Sequence, residues 1–546
     1  MEPILQIDKL SVLLPTGADR SHAIQSVSLN IHAGKTLCVV GESGSGKSVL
    51  ATTVMGLLAK GLVPETGSIK LEGQELAGVG EARLRSLRGV RMGMVFQEPM
   101  TALNPVMRCG DQVDELLREH MVWTADERRR RVLEVFEQVK LPDPARIYKS
   151  FPHQLSGGQR QRIVIAMAVI LKPKLLICDE PTTALDVTTQ KQILRLIADL
   201  HRDQGSAVLF ITHDMGVVED IADDVLVMRQ GQTVEIGSRD DVLRNPRETY
   251  TRNLLAAVPS MQPPPAKPEP LTEPLLRAQG VGKTYASHDW FGRKREVHAL
   301  KDAALCVRAG QTVGVVGESG CGKSTFARCL IRLIEPTVGE IRWGAYPVQD
   351  LAERQLRPLR SNVQVVFQDP NRSLNPRMRI VDSLIEGAVN FGIPRAKALR
   401  QAEELMHLVR LPVNGLTRYP SEFSGGQRQR LAIARALACR PRVLVADEAV
   451  SALDVSVQAE ILNLLREVQR DFGLGIIFIT HDLRVAAQLC DQVIVMNEGQ
   501  IVEQGRTVDV YAKPQHAYTR TLLAAAPGGG RSQADPIEAE RVRRLA

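Results

Sequence analysis

The chain contains its own second copy, and that duplication restricts the fold more than any other feature. Gly41-Glu-Ser-Gly-Ser-Gly-Lys-Ser48 returns as Gly317-Glu-Ser-Gly-Cys-Gly-Lys-Ser324. Val95-Phe-Gln-Glu-Pro99 returns as Val366-Phe-Gln-Asp-Pro370, and Ser156-Gly-Gly-Gln-Arg-Gln-Arg162 as Ser424-Gly-Gly-Gln-Arg-Gln-Arg430. Ile211-Thr-His-Asp214 and Tyr250-Thr-Arg252 return as Ile479-Thr-His-Asp482 and Tyr518-Thr-Arg520. Lys47 and Lys323 are 276 residues apart, Gln97 and Gln368 are 271 apart, and the pairs Ser156/Ser424, Glu180/Glu448, His213/His481 and Tyr250/Tyr518 are all 268 apart. The constant spacing of the later motifs puts the net length differences upstream. A repeat this long is a duplicated domain, not a solenoid unit.

The boundary between the copies shows in composition. Pro259 to Pro274 reads PSMQPPPAKPEPLTEP. Proline fixes φ and lacks an amide donor, so this stretch reads as a semi-extended spacer. The chain divides into a first domain at 1–258, a proline-rich linker at 259–275, a second domain at 276–527 and a tail at 528–546. The glycine run opening the tail favours disorder, with a short helix possible from Ile537 to Leu545. Within each copy, β-like runs such as Thr36–Val40 and Thr312–Val316 lead into a glycine loop and then a helix pattern. A charge-rich helical insert fills the space between Gln97 and Ser156, and between Gln368 and Ser424. Later come a helix and a buried apolar strand, Leu175–Cys178 or Val443–Ala446. Alternating strands and helices predict an α/β fold with a mainly parallel, helix-covered sheet.

Composition narrows the classes. With 44% hydrophobic and 24% charged residues in 546, the chain has the makeup of a folded globular protein. No apolar run approaches the roughly 18 residues of a spanning helix; Ile163 to Leu171 stops at Lys172. The start, Met1-Glu-Pro-Ile-Leu-Gln-Ile-Asp8, lacks the order of a secretory signal. An integral membrane protein and a secreted one are therefore not expected. The net charge of +7 is spread along the chain and favours a mixed solvated surface over a nucleic-acid face. None of the eight cysteines forms a Cys-x-x-Cys pair, so neither zinc nor an iron–sulfur cluster is expected.

Gly-x-x-x-x-Gly-Lys-Ser between a strand and a helix is the phosphate-binding loop. Its glycines let backbone amides approach phosphate, and the helix N-terminus adds positive potential. The expected nucleotide contacts are Gly41, Ser43, Gly44, Ser45, Gly46, Lys47, Ser48 and Val49 in the first copy. Gly317, Ser319, Gly320, Cys321, Gly322, Lys323, Ser324 and Thr325 follow in the second. The lysines reach the β and γ phosphates, and Ser48 and Ser324 are Mg²⁺ ligands. Asp179-Glu180 and Asp447-Glu448 end apolar strands: the aspartates position Mg²⁺ and the glutamates polarise the attacking water. Gln97 and Gln368 touch metal or water and report nucleotide state to the insert. His213 and His481, at strand ends, hydrogen-bond a phosphate oxygen. Ser156-Gly157-Gly158-Gln159 and Ser424-Gly425-Gly426-Gln427 form a second phosphate-suited element that opens a helix.

This ordered set of motifs resembles the nucleotide-binding domain of ABC ATPases, and the resemblance covers both copies. It implies two P-loop domains, each with a sheet core and a helical subdomain, that sandwich two ATP molecules head to tail. By that resemblance Lys47, Asp179, Glu180 and His213 face Ser424 and Gly426, while Lys323, Asp447, Glu448 and His481 face Ser156 and Gly158. Asp186 and Asp454 communicate across the interface. The family usually places an aromatic residue where adenine stacks. Tyr285 fits that position in the second copy, and Leu14 falls there in the first. After Glu448 the sequence reads Ala-Val, where the family has Pro-Thr.

Narrower features resemble the importer subgroup for peptides and nickel. Gln97-Glu-Pro-Met-Thr-Ala-Leu-Asn-Pro105 and Gln368-Asp-Pro-Asn-Arg-Ser-Leu-Asn-Pro376 are similar to its two ATPase subunits. Phe151-Pro-His-Gln, Tyr419-Pro-Ser-Glu and the two Tyr-Thr-Arg motifs agree. The implied protein is a fused ATPase pair, bound to the cytoplasmic face of the bacterial inner membrane. It docks two transmembrane permeases and depends on a periplasmic or lipid-anchored binding protein. A nickel or sugar importer ATPase, and a tandem ABC protein acting on ribosomes, remain as alternatives.

Overall fold

The computed structural model describes residues 2–97, 99–182, 185–268, 270–288, 294–451 and 453–526. The tail at 528–546, with its expected short helix, lies outside the described residues, as do Ala184 and Ala452 of the Ala-Leu-Asp motifs. The chain forms two compact units, one holding almost all the described residues up to Val258 and the other those from Pro259 to Ala526.

In the first unit Thr36–Val40 is buried at all five positions. Strand alternation sends Cys38 and Val40 to one face, where they meet Cys178, Phe210 and Val225. Leu37 and Val39 go to the other face, beside Ile177, Leu209 and Leu226. A strand covered on both faces shows an unbroken apolar run, which is why Leu-Cys-Val-Val carries no polar alternation. The six-stranded sheet is ordered Gln232–Ser238, Asp224–Arg229, Thr36–Val40, Ala207–Ile211, Leu175–Asp179, Met92–Val95. All neighbours are parallel except the first pair. The second unit repeats this order with Thr312–Val316 in the place of Thr36–Val40.

The reading of a mainly parallel, helix-covered sheet describes this layer but is incomplete. Each unit adds a separate four-stranded sheet, made in the first from His22–Ile31, Leu5–Leu13, Val63–Leu71 and Gln74–Glu75, all antiparallel. Leu5–Leu13 and His22–Ile31 follow each other with no helix between them, so they pair as a hairpin. Leu5, Ile7, Leu10 and Val12 pack down onto the face that carries Leu37 and Val39.

The opposite face is covered by helices. The insert folds as Cys109–His120, Ala125–Gln138 and Pro144–Lys149, with a Thr124/Glu127 capping box starting the second. Its counterpart contains Ile380–Asn390 and Arg395–Leu408. The proline-rich stretch forms no helix or strand among its described residues and lies along the second unit. Gln488 donates to the Ser260 and Gln262 carbonyls (3.0 and 2.7 Å), and Lys267 lies 3.1 Å from Asp491. Arg308 donates to the Thr272 carbonyl at 3.1 Å.

Candidate functional site

The phosphate loop of the first unit joins Thr36–Val40 to the helix Lys47–Val54. Gly46 caps that helix at φ 99°, and Gly322 caps its counterpart at 107°. Glycine adopts that left-handed backbone without a steric penalty. A Cβ on Gly46 would also stand 2.6 Å from the Ala23 carbonyl. No side chain caps either helix, and a helix N-terminus favours an anion.

Lys47 is buried, and its ammonium donates to the Gly41 carbonyl (2.8 Å), the Glu42 carbonyl (2.9 Å) and Ser45 Oγ (3.5 Å). Lys323 repeats the two carbonyl bonds, both at 2.8 Å, with Cys321 Sγ at 4.0 Å in the serine's place. The lysine thus sits inside its own loop, at the hollow the loop amides surround.

The hydroxyl of Ser48 donates to Asp179 Oδ1 at 3.0 Å, and Ser324 to Asp447 at 3.2 Å. Burial pushes the Asp179 carboxyl up to about 6, with the Ser48 hydrogen bond opposing and the neighbouring Glu180 charge adding. Burial likewise raises Asp447. A buried carboxylate beside a hydroxyl is a hard-oxygen pair that a divalent cation would stabilise, so these residues fit Mg²⁺.

Glu180 and Glu448 follow at the strand ends with φ 46° and 49°, in the left-handed region. Their amides donate to the Ile211 and Ile479 carbonyls (3.0 Å each), and this bond to the next strand fixes the unusual backbone. The Glu180 carboxylate receives Gln97 Nε2 at 3.1 Å and has His213 Nδ1 at 3.2 Å, both on Oε2. Glu448 has Gln368 Nε2 at 2.8 Å and His481 Nδ1 at 3.5 Å. Burial works against the Glu448 charge, but His481 and Lys323 outweigh it and hold the carboxyl below its ordinary value. The histidines are aimed by their own motif. Asp214 accepts from the Gly216 amide (2.9 Å) to cap the following helix, and its amide donates to Thr212 Oγ1 at 3.0 Å. Asp482 and Thr480 do the same in the second unit.

Each unit therefore gathers its loop lysine, serine, aspartate, glutamate, glutamine and histidine at the ends of parallel strands. The signature residues form a distinct element. Ser156 Oγ accepts from the Gln159 amide (3.3 Å) while Gln159 Oε1 accepts from the Ser156 amide (3.1 Å). Ser424 and Gln427 make the same capping box at 3.3 and 3.0 Å. Gly157 and Gly425 border open space, whereas a Cβ on Gly158 or Gly426 would meet Thr189 or Val457.

Tyr285 is exposed, with Lys283 Nζ 5.3 Å from its ring centroid. The pairings Leu5↔Ile31 and Leu276↔Val307 give the two leading strands a shared register, and in it Leu14 occupies the place of Tyr285. Leu14 is half-buried against the core below the antiparallel sheet.

Three site contacts escaped sequence reasoning. The Tyr250 hydroxyl accepts from the Glu42 amide at 3.4 Å, and Tyr518 from Glu318 at 3.2 Å. The 268-residue repeat of Tyr-Thr-Arg was the signal that could have found them. Arg20 donates to the Gly44 carbonyl within the loop. Strand register puts Glu296 at its counterpart, so the repeat gave no signal there.

Comparison with known proteins shows the family of the chain. The ABC transporter family model matches residues 24–183 and 300–451, together more than half of the chain. The oligopeptide/dipeptide transporter C-terminal region matches 234–293 and 502–543. The glutathione import ATP-binding protein GsiA of Escherichia coli O6:H1 is 44% identical over 96% of this chain and 89% of that protein. GsiA of Pectobacterium atrosepticum is 42% identical over 98% and 91%. The dimeric ATP-binding cassette MJ0796, solved in a post-hydrolysis state with ADP and Pi, is 28% identical over 42% of this chain and 98% of that chain (TM-score 0.38). With two phosphate loops, each facing its own acid, glutamine and histidine, and family matches across both, the chain belongs to the ABC transporter ATP-binding proteins as a tandem ATPase carrying the oligopeptide/dipeptide C-terminal region twice.

Proposed function

We propose that this chain hydrolyses ATP to drive uptake of peptides or peptide-like cargo through an ABC importer. The observation that carries the reading is likeness along 96% of the chain to a glutathione import ATP-binding protein, together with the duplicated oligopeptide/dipeptide region. Its domains are the cassettes at 1–258 and 276–527, the linker at 259–275 and the tail at 528–546.

Two composite sites bind ATP in this reading. The Gly41–Ser48 loop, Asp179, Glu180 and His213 work with Ser424 and Gly426; the Gly317–Ser324 loop, Asp447, Glu448 and His481 work with Ser156 and Gly158. Lys47 and Lys323 exchange loop carbonyls for phosphate oxygens. Ser48 with Asp179, and Ser324 with Asp447, hold Mg²⁺, which offsets charge on the phosphates when bound. Glu180 and Glu448 accept hydrogen bonds at one carboxylate oxygen from glutamine and have histidine beside it. Glutamine and histidine thereby orient the carboxylate that polarises water. Tyr285 stacks on adenine at the second site. Neither unit has lost its glutamate, histidine or signature serine, so both sites turn over.

No described helix is long and apolar enough to cross a membrane. The translocation path then belongs to two permeases, with cargo delivered by a binding protein and this chain docked at the inner face of the membrane. The test is uptake of labelled glutathione and dipeptides by a strain deleted for the gene. Restoration by the intact chain, and not by a Glu180→Gln/Glu448→Gln variant, is the expected result. Uptake indifferent to the deletion, with the chain recovered on ribosomes instead, would overturn it.

A further inference from the structure

The Tyr-Thr-Arg motifs lie in the C-terminal region, far in sequence from the phosphate loops, yet each places one atom on a loop. Tyr250 sits in the first turn of the helix Thr249–Ala256, and its hydroxyl accepts from the Glu42 amide at 3.4 Å. Tyr518, in Ala517–Ala525, does the same to Glu318 at 3.2 Å. The two contacts arise independently in two units, across 208 and 200 residues of chain. Arg229 lies 4.9 Å from the Tyr250 ring centroid and supports it from the strand behind the loop.

The rest of the motif aims the tyrosine. Glu235 accepts from the Arg247 and Glu248 amides (2.9 and 3.3 Å), and Glu503 from those of Gln515 and His516 (2.7 and 3.0 Å). Arg252 donates to the Pro246 and Arg247 carbonyls, and Arg520 to those of Pro514 and Gln515. Thr251 and Thr519 are buried. A closed turn, tied to a carboxylate on the neighbouring strand, thus fixes where the tyrosine hydroxyl stands.

Glu42 and Glu318 are the first residues after the loop's leading glycines, and their carbonyls accept from Lys47 and Lys323. The lysine therefore rests on two consecutive peptide units, and the tyrosine holds the N–H of the first of them. We propose that Tyr250 and Tyr518 are positioning residues for ATP: their hydroxyls set the backbone from which the loop lysine is presented, and so couple the C-terminal regions to nucleotide occupancy. This rests on the reading that both loops bind ATP.

The hydroxyls hold the loop before and during reaction alike, so removing them weakens ground state and transition state together. One hydrogen bond of about 0.5–1.5 kcal/mol corresponds to roughly a two- to tenfold change. The Tyr250→Phe/Tyr518→Phe chain should show KM for ATP raised by about that factor, kcat within about twofold, and faster amide exchange at Glu42 and Glu318. A lower melting temperature with unchanged KM would make the hydroxyls structural only and overturn the proposal. A fall in kcat at unchanged KM would overturn it too. If the double variant fails to fold, the intact chain decides: a non-hydrolysable ATP analogue should slow amide exchange in 249–256 and 517–525, and no change there refutes the coupling. Failure of the underlying reading is separable, because the Lys47→Ala/Lys323→Ala chain would then bind the analogue as tightly as the intact chain does.

Discussion

Gln368 donates its side-chain amide to Glu448 at 2.8 Å, on the oxygen that also lies near His481. The carboxylate thus has a neutral donor from the edge strand of the sheet and an imidazole from the adjoining strand end, and Gln97 treats Glu180 alike at 3.1 Å. A glutamine in the glutamate's place keeps the shape but loses the basic oxygen. General-base contributions run to about 10²–10⁴-fold. The Glu180→Gln/Glu448→Gln chain should therefore lose steady-state hydrolysis by about 100-fold or more while binding ATP within about threefold. Phosphate release and fluorescent-nucleotide titration check this; undiminished hydrolysis removes both glutamates from the reaction.

Leu14 stands where Tyr285 stands in the second unit, with no aromatic face to offer. Stacking of aromatic faces is worth about 0.5–1.5 kcal/mol, or roughly two- to tenfold in affinity. Leu14→Tyr should tighten ATP at the first site by that factor, read by calorimetry in a chain whose second site is silenced by Lys323→Ala. Unchanged affinity would mean that adenine does not lie over this position.

Adjacent signature glycines should behave differently. A Cβ on Gly426 would stand 2.4 Å from Val457 Cγ1, whereas one on Gly425 meets nothing within 4 Å. Gly426→Ala should lower stability by about 1–3 kcal/mol, the usual cost of overpacking. Gly425→Ala should leave the melting temperature alone and cut hydrolysis about tenfold or more, a loss of about 1.4 kcal/mol, if nucleotide meets its open face as the proposed composite site requires. Full activity in Gly425→Ala would count against the composite arrangement.

Glu503 supplies a pH dependence away from the nucleotide. Burial works to raise its carboxyl, but the amides of Gln515 and His516 outweigh it and hold it below the ordinary 4.5. A carboxyl with a depressed folded value contributes fully above 4.5 and loses that contribution as pH falls through the folded value. The melting temperature of the intact chain should drop on acidification below about pH 4.5, and Glu503→Gln should flatten part of that drop. Parallel profiles for the two chains would show that the carboxylate adds no folded-state stability.

Much of the site was legible because its chemistry is local. A loop of eight residues, a strand ending in Asp-Glu and a Thr-His-Asp turn each carry their geometry in consecutive positions, and the duplication separated them from chance. Buried strands were legible for a similar reason, since Leu175–Asp179 and Val443–Asp447 are covered on both faces and read as apolar runs. The four-stranded antiparallel sheets were not separated out, because a strand's pattern shows which face is buried but not which neighbour covers it. Arg20 was missed because its partner, the Gly44 carbonyl, is a backbone atom that leaves no mark in residue types.

The sequence by itself determined the number of phosphate loops, the acids and histidines that accompany each of them, and the order of those groups along each copy. These follow from covalent spacing and from side-chain chemistry that few other residues can supply. Only the tertiary structure decided that Gln97 and His213 share one oxygen of Glu180, that Lys47 rests on its own loop carbonyls, and that Tyr250 holds the Glu42 amide. Those contacts join segments up to 208 residues apart. Their distances depend on how two sheets and a layer of helices pack, which no local pattern encodes.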